Sequence, residues 1–204
     1  MRSKFFAACV WILTACGTFL FTSGALDYWE SHSAQNEIAS RWANAPETPP
    51  AGEVPAPPNA PHARPMQTSG AVAKLSIPRL DTALYVVEGT SDRDLKRGPG
   101  HLEGTALPGE DGNCVIAGHR DTHFRVLQKI RDGDEIELER DGRIYRYRVD
   151  GMEIVTPDNT SSLRPVDKPV LNLITCYPFH YLGAAPKRFV VHADLEGSTL
   201  AASR

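Results

Sequence analysis

Several features typical of particular protein classes are missing from this chain. Four cysteines occur among 204 residues and no two of them form a Cys-x-x-Cys pair, which argues against a disulfide scaffold and against a structural zinc site. The formal net charge is only −3, and no basic stripe is present, so nucleic acid is not an expected partner. No internal repeat is visible. These absences leave a globular chain of ordinary hydrophobic content, 41%.

One segment lacks charge altogether. The 22 residues Phe5–Leu26 carry no charged side chain; basic residues precede them and acidic residues follow. A helix of that length rises about 30 Å, which matches the hydrocarbon core of a bilayer. The positive-inside rule then places the N-terminus in the cytoplasm. We therefore predict a single-pass membrane protein, with a cytoplasmic tip at residues 1–4, a transmembrane signal anchor at residues 5–26 and an extracytoplasmic remainder.

Two other interpretations of this segment stay open. The tetrapeptide Leu13-Thr14-Ala15-Cys16 fits a lipobox in which Cys16 would be lipidated, although the sequence stays apolar beyond it. A cleaved secretory signal is the other alternative, although the apolar run is longer than is usual for such signals. All three interpretations place the rest of the chain outside the cytoplasm.

A proline-rich stretch follows. Residues 44–68 hold eight of the 16 prolines, and proline has no backbone N–H to donate to a helix or a sheet. Such sequence forms an extended, semi-rigid spacer. We predict a juxtamembrane segment and linker over residues 27–70, in which the polar residues 27–43 form a short helix.

From residue 71 onward the pattern is that of a β protein. Short runs typical of strands alternate with turn residues, at 72–77, 83–88, 113–118, 135–140, 143–149, 170–175 and 187–195. The dipeptide Asp141-Gly142 between two alternating runs predicts a hairpin. One short helix is expected at Thr122–Ile130, capped by Asp121. Residues 71–197 therefore form an all-β domain, a closed barrel or a sandwich, and residues 198–204 a flexible tail.

Two cysteines lie in this domain. Cys114 falls inside an apolar run, which is typical of a small buried residue. Cys176 ends a strand that Pro178 terminates, which places its thiol at the start of a loop. A free cysteine, with a pKa of about 8.5, needs a base or a cation nearby to react. His119 also ends a strand, and Arg188 begins the strand after Cys176. If those last two strands pair antiparallel, Cys176 and Arg188 are neighbours in space. Together with His119 at one rim of the barrel, they would supply a nucleophile, an oxyanion donor and a proton carrier.

These residues stand in motifs that resemble the sortases, the cysteine transpeptidases of bacterial surfaces. The motifs are Ala-Gly-His-Arg-Asp-Thr at 117–122, Leu-Ile-Thr-Cys-Tyr-Pro-Phe at 173–179 and Lys-Arg-Phe-Val-Val at 187–191. The order His, Cys, Arg is the order of the family, and Cys-Tyr-Pro-Phe is similar to its class D branch. Asn172 and His123 depart from the residues that are frequent at those positions in the family.

The resemblance implies an eight-stranded closed barrel that cleaves an LPXTG-like sorting signal and passes the acyl group to an amine acceptor. Cys176 would form the thioacyl intermediate, His119 would transfer protons and Arg188 would bind the oxyanion or position the substrate. Thr175 would add a hydrogen bond near the site, and His101, in a Gly-Pro loop, is a candidate substrate-binding residue. This chemistry requires no metal and no organic cofactor.

Two other functions are weighed against this one. A cysteine peptidase that only hydrolyses is one alternative, although papain-like enzymes place the cysteine before the histidine. A non-catalytic barrel that binds surface peptides is the other, although all three catalytic residue types are present. The acidic series from Asp134 to Glu139 alternates with Ile136 and Leu138, which predicts a solvated strand face and not a calcium loop.

Overall fold

The structure, a computed structural model, describes residues 2–44, 70–181 and 183–201. The predicted proline-rich linker and the end of the predicted tail lie outside the described residues. Two α-helices and eight β-strands follow one another along the chain: α1 (Arg2–Ala43), β1 (Ala73–Ile77), β2 (Thr82–Glu88), α2 (Asp92–Arg97), β3 (Gly100–His101), β4 (Asn113–Gly118), β5 (Glu135–Arg140), β6 (Arg143–Val155), β7 (Val170–Tyr177) and β8 (Lys187–Leu200).

The eight strands form a closed barrel, which confirms the predicted architecture. Its order is β1-β2-β3-β4-β7-β8-β6-β5, and β5 pairs back to β1. The pairs β2–β3 and β4–β7 are parallel, and the remaining pairs are antiparallel. Strands β4, β7 and β8, which carry the candidate catalytic residues, are therefore neighbours.

Alternation along the strands fills the barrel with apolar side chains. In β5, Ile136 and Leu138 are fully buried, whereas the glutamates between them stay half-buried on the outer side. The predicted hairpin between β5 and β6 is also confirmed. Asp141 and Gly142 form its two-residue turn with φ of 51° and 72°, the left-handed conformation that such a turn requires.

Helix α1 is continuous from Arg2 to Ala43, so it joins the predicted membrane segment and the predicted short helix after it. Its last turns lie against the barrel: Ile38 and Trp42 are 3% and 6% exposed and cluster with Ala71 and Val87. Within the described part of the chain, no helix has both the length and the apolar character needed to cross a membrane. The transmembrane anchor at residues 5–26 stays a prediction.

Local departures from the sequence predictions have physical causes. The expected helix after His119 is a 3₁₀-helix, His123–Lys129, and no side chain caps its first turn, so the cap assigned to Asp121 is wrong. Asp134 does not lie on a solvated face. It is 7% exposed and its carboxylate accepts hydrogen bonds from the Arg79 guanidinium, which lowers the pKa of Asp134.

Helix α2 was not predicted from the sequence, because six residues are too few to show helical periodicity. At the other end of the domain, β8 continues to Leu200, three residues beyond the predicted domain end, because it pairs with the start of β6. The proposed domain limits of 71–197 stay a prediction.

Candidate active site

Three neighbouring strand ends carry the three residues selected from the sequence. Cys176 on β7 lies directly opposite Arg188 on β8, which confirms the adjacency that antiparallel pairing predicts. Gly118, the last residue of β4, lies opposite Thr175, the residue before Cys176. Because β4 and β7 run parallel, His119 leaves β4 at the same end of the barrel as Cys176. A thiol, an imidazole and a guanidinium thus share one rim.

The two cysteines of the domain differ in their surroundings, as predicted. Cys176 is half-buried and free, at the point where β7 gives way to a loop. Cys114 is 1% exposed inside the barrel, and burial strongly raises the pKa of its thiol. Of these two thiols, only Cys176 is accessible to a substrate.

The backbone around His119 is held from two sides. The buried Thr175 hydroxyl donates to the Gly118 carbonyl over 2.7 Å, and the Phe124 amide donates to the His119 carbonyl over 3.0 Å. The Phe124 ring also packs so closely on Gly118 that an added Cβ would lie 2.7 Å from it. Glycine is therefore required there by the close approach. The hydroxyl of Thr175 fixes the strand end that carries His119, while its predicted contact with substrate stays a prediction.

Arg120 links the two loops that follow His119 and Cys176. Its guanidinium donates to three backbone carbonyls, those of Pro178 at 3.1 Å, Tyr181 at 2.9 Å and Gly183 at 2.9 Å. It also lies 5.7 Å from the centroid of the Tyr181 ring. Arg120 stands next to His119 in the motif, but its role is not visible in the sequence, because the acceptors are backbone atoms about 60 positions away.

Arg188 is half-buried, and its guanidinium donates to carbonyls of its own loop. The acceptors are Lys187 at 3.0 Å and Ala185 at 3.4 Å. The second of these distances is long for a hydrogen bond, and a substrate oxyanion is a stronger acceptor than a neutral carbonyl. A negatively charged oxygen near this rim would therefore be a stronger acceptor for the guanidinium than its present partners.

Aromatic rings line the loop side of the site. Tyr177, Phe179 and Phe189 form a cluster with ring centroids 5.4 to 6.4 Å apart. Phe179 and Phe189 also pack against the barrel core. The Cys-Tyr-Pro-Phe motif thus anchors the loop after the thiol to the hydrophobic interior.

His101 lies in a different setting from the one expected of a substrate ligand. It is 2% exposed, and its Nδ1 lies 3.0 Å from both carboxylate oxygens of Glu88. Its Nε2 lies 3.0 Å from the Ala106 carbonyl and 3.1 Å from the Thr105 hydroxyl. Both ring nitrogens are satisfied by structural partners. A substrate-binding role for His101 stays a prediction.

A polar chain that the sequence analysis did not find runs over the outer face of the same strands. His192 on β8 lies between Glu153 (3.2 Å) and the Asn172 carboxamide, and the latter donates to Asn113 over 2.7 Å. Asn113 in turn donates to the carbonyls of Ser162 (2.7 Å) and Arg164 (3.1 Å) in the connection between β6 and β7. These residues line a cavity of about 360 Å³. This hydrogen-bond network fixes the connection between β6 and β7, which crosses over β8.

Comparison with known proteins agrees with this geometry. The family model described as a sortase domain matches residues 75–196. Sortase D of Bacillus subtilis is 39% identical over 127 residues, which cover 62% of this chain and 64% of that protein. Sortase SrtE1 of Streptomyces coelicolor is 32% identical over 195 residues, which cover 83% of this chain and 51% of that protein. The chain thus matches between half and two thirds of the length of these relatives.

Solved structures give the same result. The catalytic domain of B. anthracis SrtD is 36% identical with a TM-score of 0.56, and the match covers 65% of this chain and 90% of that domain. A Clostridium perfringens Sortase D5 transpeptidase is 30% identical with a TM-score of 0.57, with 63% of this chain and 81% of that chain covered.

Proposed function

The chain belongs to the sortase family, and we propose that it is a cysteine transpeptidase that cleaves an LPXTG-like sorting signal and transfers the acyl group to an amine. The observation that carries this proposal is the pairing of Cys176 with Arg188 on adjacent strands, with His119 at the same rim. The similarity to two class D sortases supports the assignment to that branch.

In the first half of the reaction, the Cys176 sulfur attacks the carbonyl carbon of the scissile peptide bond. The C–N bond breaks, and the imidazole of His119 gives its proton to the departing amine. The product is a thioester on Cys176 together with the released C-terminal fragment of the signal. Splitting one difficult step into two easier ones is the general advantage of a covalent nucleophile.

In the second half, an amine acceptor attacks the thioester carbonyl. His119 takes up the proton that the amine loses, the C–S bond breaks and a new peptide bond forms. Cys176 leaves as the thiolate beside a protonated His119, which is the state that began the first half, so no external proton, oxidant or reductant is consumed. His119 thus serves as acid in one half and as base in the other.

Arg188 is proposed to donate to the oxyanion that forms in both halves. Arg188 lies opposite Cys176 on the adjacent strand, and among the described residues its half-buried guanidinium donates to the carbonyls of Ala185 and Lys187. Hydrogen bonds aimed at developing charge stabilise the transition state of acyl transfer strongly, because the donors are already in place when the charge forms. The role requires a modest turn of the side chain from its present acceptors toward the substrate.

We also propose that the enzyme is held at a membrane through residues 5–26, with the catalytic domain outside the cytoplasm. The charge-free run from Phe5 to Leu26 and the basic residues before it support this arrangement. Its substrates would then be surface or pilin proteins that carry the sorting signal near the same membrane.

A product analysis tests the proposal. The full chain is incubated with a panel of LPXTG-type peptides, with and without an amine, and the products are identified by mass. We expect a cleaved peptide joined to the amine for at least one sequence of the panel. Release of the acid alone in the presence of excess amine would identify a hydrolase, and no turnover of any peptide by a folded chain would contradict the proposal.

A further inference from the structure

The C-terminal part of helix α1 contacts the segment that follows His119. The Ser31 hydroxyl lies 3.1 Å from Nε2 of His123, and both residues are 8% exposed. About one turn further along α1, the Gln35 carboxamide holds the helix in place. It accepts from the Tyr85 amide (2.8 Å) and donates to the carbonyls of Tyr85 (3.0 Å) and Arg97 (2.7 Å). The helix is thus fixed to β2 and to the last residue of α2, beside His123.

The surroundings of His123 favour the neutral form of its ring. A backbone hydrogen bond to Lys96 accounts for one ring nitrogen, since a carbonyl can only accept from the ring. Nε2 is then the nitrogen that accepts the Ser31 proton, so both ring nitrogens are satisfied without charge. Burial lowers the pKa of His123, which disfavours the imidazolium at neutral pH.

His123 also lies close to the candidate proton carrier. The Phe124 amide donates to the His119 carbonyl, which folds the chain back so that residues 119 and 123 adjoin. Positive charge on His119 contributes to the lowered pKa of His123. Coulomb repulsion is mutual, so a charge on His123 would equally oppose protonation of His119.

Other ionisable groups face His123 from the elements packed around it. Asp121, on its own segment, favours the charged form and opposes the effect of burial. A cavity of about 450 Å³ lies beside the contact between Ser31 and His123. The ionisable residues that line this cavity are His32, Tyr85, Asp121, His123 and Arg125. Burial is the largest of these influences on His123. Part of this burial comes from α1, because Ser31 covers the ring.

We propose that the docked helix α1 keeps His123 neutral beside His119 and thereby lets His119 carry the catalytic proton. The helix is a positioning element in this account: it touches no substrate and acts through Ser31 and His123. When the helix is displaced, His123 faces water, becomes protonated more readily and repels the proton of His119. The inference rests on the proposed role of His119 in transpeptidation.

An NMR titration of the His119 ring tests this directly in the full chain in detergent micelles, with His119→Gln used to assign the signal. His123→Arg places a permanent charge beside His119, and we expect the midpoint of His119 to fall by about half to one pH unit. His123→Gln keeps a neutral partner for Ser31 and should leave the midpoint unchanged. Ser40→Lys adds the same charge on an exposed position of α1 outside the lining of this cavity and is the matched control. Equal shifts in the Arg and Gln variants, or none in either, would overturn the proposal.

A second pair of variants tests the helix itself. Gln35→Ala removes three hydrogen bonds between α1 and its neighbours β2 and α2 and leaves the packing of Ile38 and Trp42, so the helix should loosen around Ser31 and the His119 midpoint should fall part of the way toward that of His123→Arg. Adding His123→Gln to Gln35→Ala should restore the wild-type midpoint, because the released residue then carries no charge. A shift that persists in the double variant, or no shift in Gln35→Ala alone, contradicts the inference.

The titration does not depend on turnover, so the two proposals fail separately. An inactive wild-type chain whose His119 responds as expected would contradict the transpeptidase assignment and keep the helix coupling. If the wild-type chain is active, the coupling between His123 and His119 should also change the pH dependence of kcat/KM. There, His123→Arg should move the alkaline limb of kcat/KM to lower pH, because His119 loses its proton earlier, and His123→Gln should not move it.

Discussion

At the scale of single residues, position in the fold and local environment distinguish the candidate catalytic residues from those that pack in the core. Cys114 and Cys176 have the same side chain, yet one lies among core residues and the other at a rim opposite Arg188. The sequence already predicts this difference, because Cys114 stands inside an apolar run and Cys176 just before a proline. Arg120 has no such marker, since its importance lies in three backbone carbonyls that only the fold brings together.

The two cysteines provide a matched pair of substitutions. Cys176→Ala should abolish peptide transfer and leave the melting temperature nearly unchanged, because a half-buried rim residue contributes little to the core. Cys114→Ala should keep activity and lose on the order of 1–2 kcal/mol of unfolding free energy. Product mass and thermal unfolding measure both effects. Transfer by Cys176→Ala would exclude it as the nucleophile.

Arg188→Lys tests the oxyanion role. Lysine keeps the charge but lacks the planar guanidinium that can hold an acceptor in fixed geometry. Loss of one oxyanion donor costs about 100- to 1000-fold in rate in a protease, and we expect a decrease in kcat of about that size. Steady-state kinetics on a fluorogenic peptide measure it. A variant within about threefold of wild type would reduce Arg188 to a general electrostatic contribution.

Arg120→Lys tests the hydrogen bonds that Arg120 makes between the loop after His119 and the loop after Cys176. A single ammonium cannot reach all three carbonyls, so the loop after Cys176 should lose its fixed position relative to His119. We expect kcat/KM to fall by about tenfold or more, since small misplacements of reacting groups are costly. Arg131→Lys, at an exposed position later in the same region, is the control. Unchanged kinetics in Arg120→Lys would show that the loop is held by its aromatic cluster alone.

At the scale of elements, strand alternation and turn residues determine the barrel, and distant polar contacts fix its connections. Strand β5 falls where hydrophobic alternation predicts it, β4 where a short apolar run predicts it, and β8 begins at the predicted residue, Lys187. The connection between β6 and β7 was not predictable, because its anchor, Asn113, lies 49 positions from Ser162. The docking of α1 was equally hidden, since among its described side chains the buried apolar ones are Ile38 and Trp42 alone.

Asn113→Ala tests the anchor of that connection. The substitution removes the Asn113 donor from the carbonyls of Ser162 and Arg164 and the Asn113 acceptor from Nδ2 of Asn172, at a cost of about 1–3 kcal/mol for a buried unsatisfied group. We expect lower thermal stability together with faster proteolysis within residues 156–169. Glu153→Gln, at the exposed end of the same polar chain, should have a smaller effect. Equal stability of Asn113→Ala and wild type would mean that the connection is held by other contacts.

At the scale of the whole molecule, the helix that precedes the linker and the barrel after it share a hydrophobic cluster. Ile38 and Trp42 of α1 pack with Ala71, Tyr85 and Val87. The predicted domain boundary at residue 71, where the strand-like pattern begins, would divide Ile38 and Trp42 from their packing partners on the barrel. The candidate catalytic residues all lie after that boundary, whereas the packing that stabilises the barrel includes residues before it.

Truncation measures how far the barrel depends on that helix. A chain that begins at Ser69 exposes Val87 and leaves the Tyr85 amide and carbonyl without Gln35. We expect it to fold with an unfolding free energy lower by about 2 kcal/mol or more than that of a chain that begins at Asp27, because Tyr85 and Val87 lose their apolar contacts with Ile38 and Trp42. Chemical denaturation of both chains provides the comparison. Equal stability would establish residues 71–197 as an independent domain.

The covalent intermediate is the central claim, and intact-mass spectrometry of the enzyme tests it most directly. The full chain is mixed with a cleavable LPXTG-type peptide without an amine, quenched in acid and weighed. We expect the mass of the enzyme to increase by that of the acyl fragment, and the fragment to be located on Cys176. The increase should be absent from Cys176→Ala and should disappear when an amine is added before the quench. An adduct on another residue, or peptide transfer by an enzyme that never gains this mass, would contradict it.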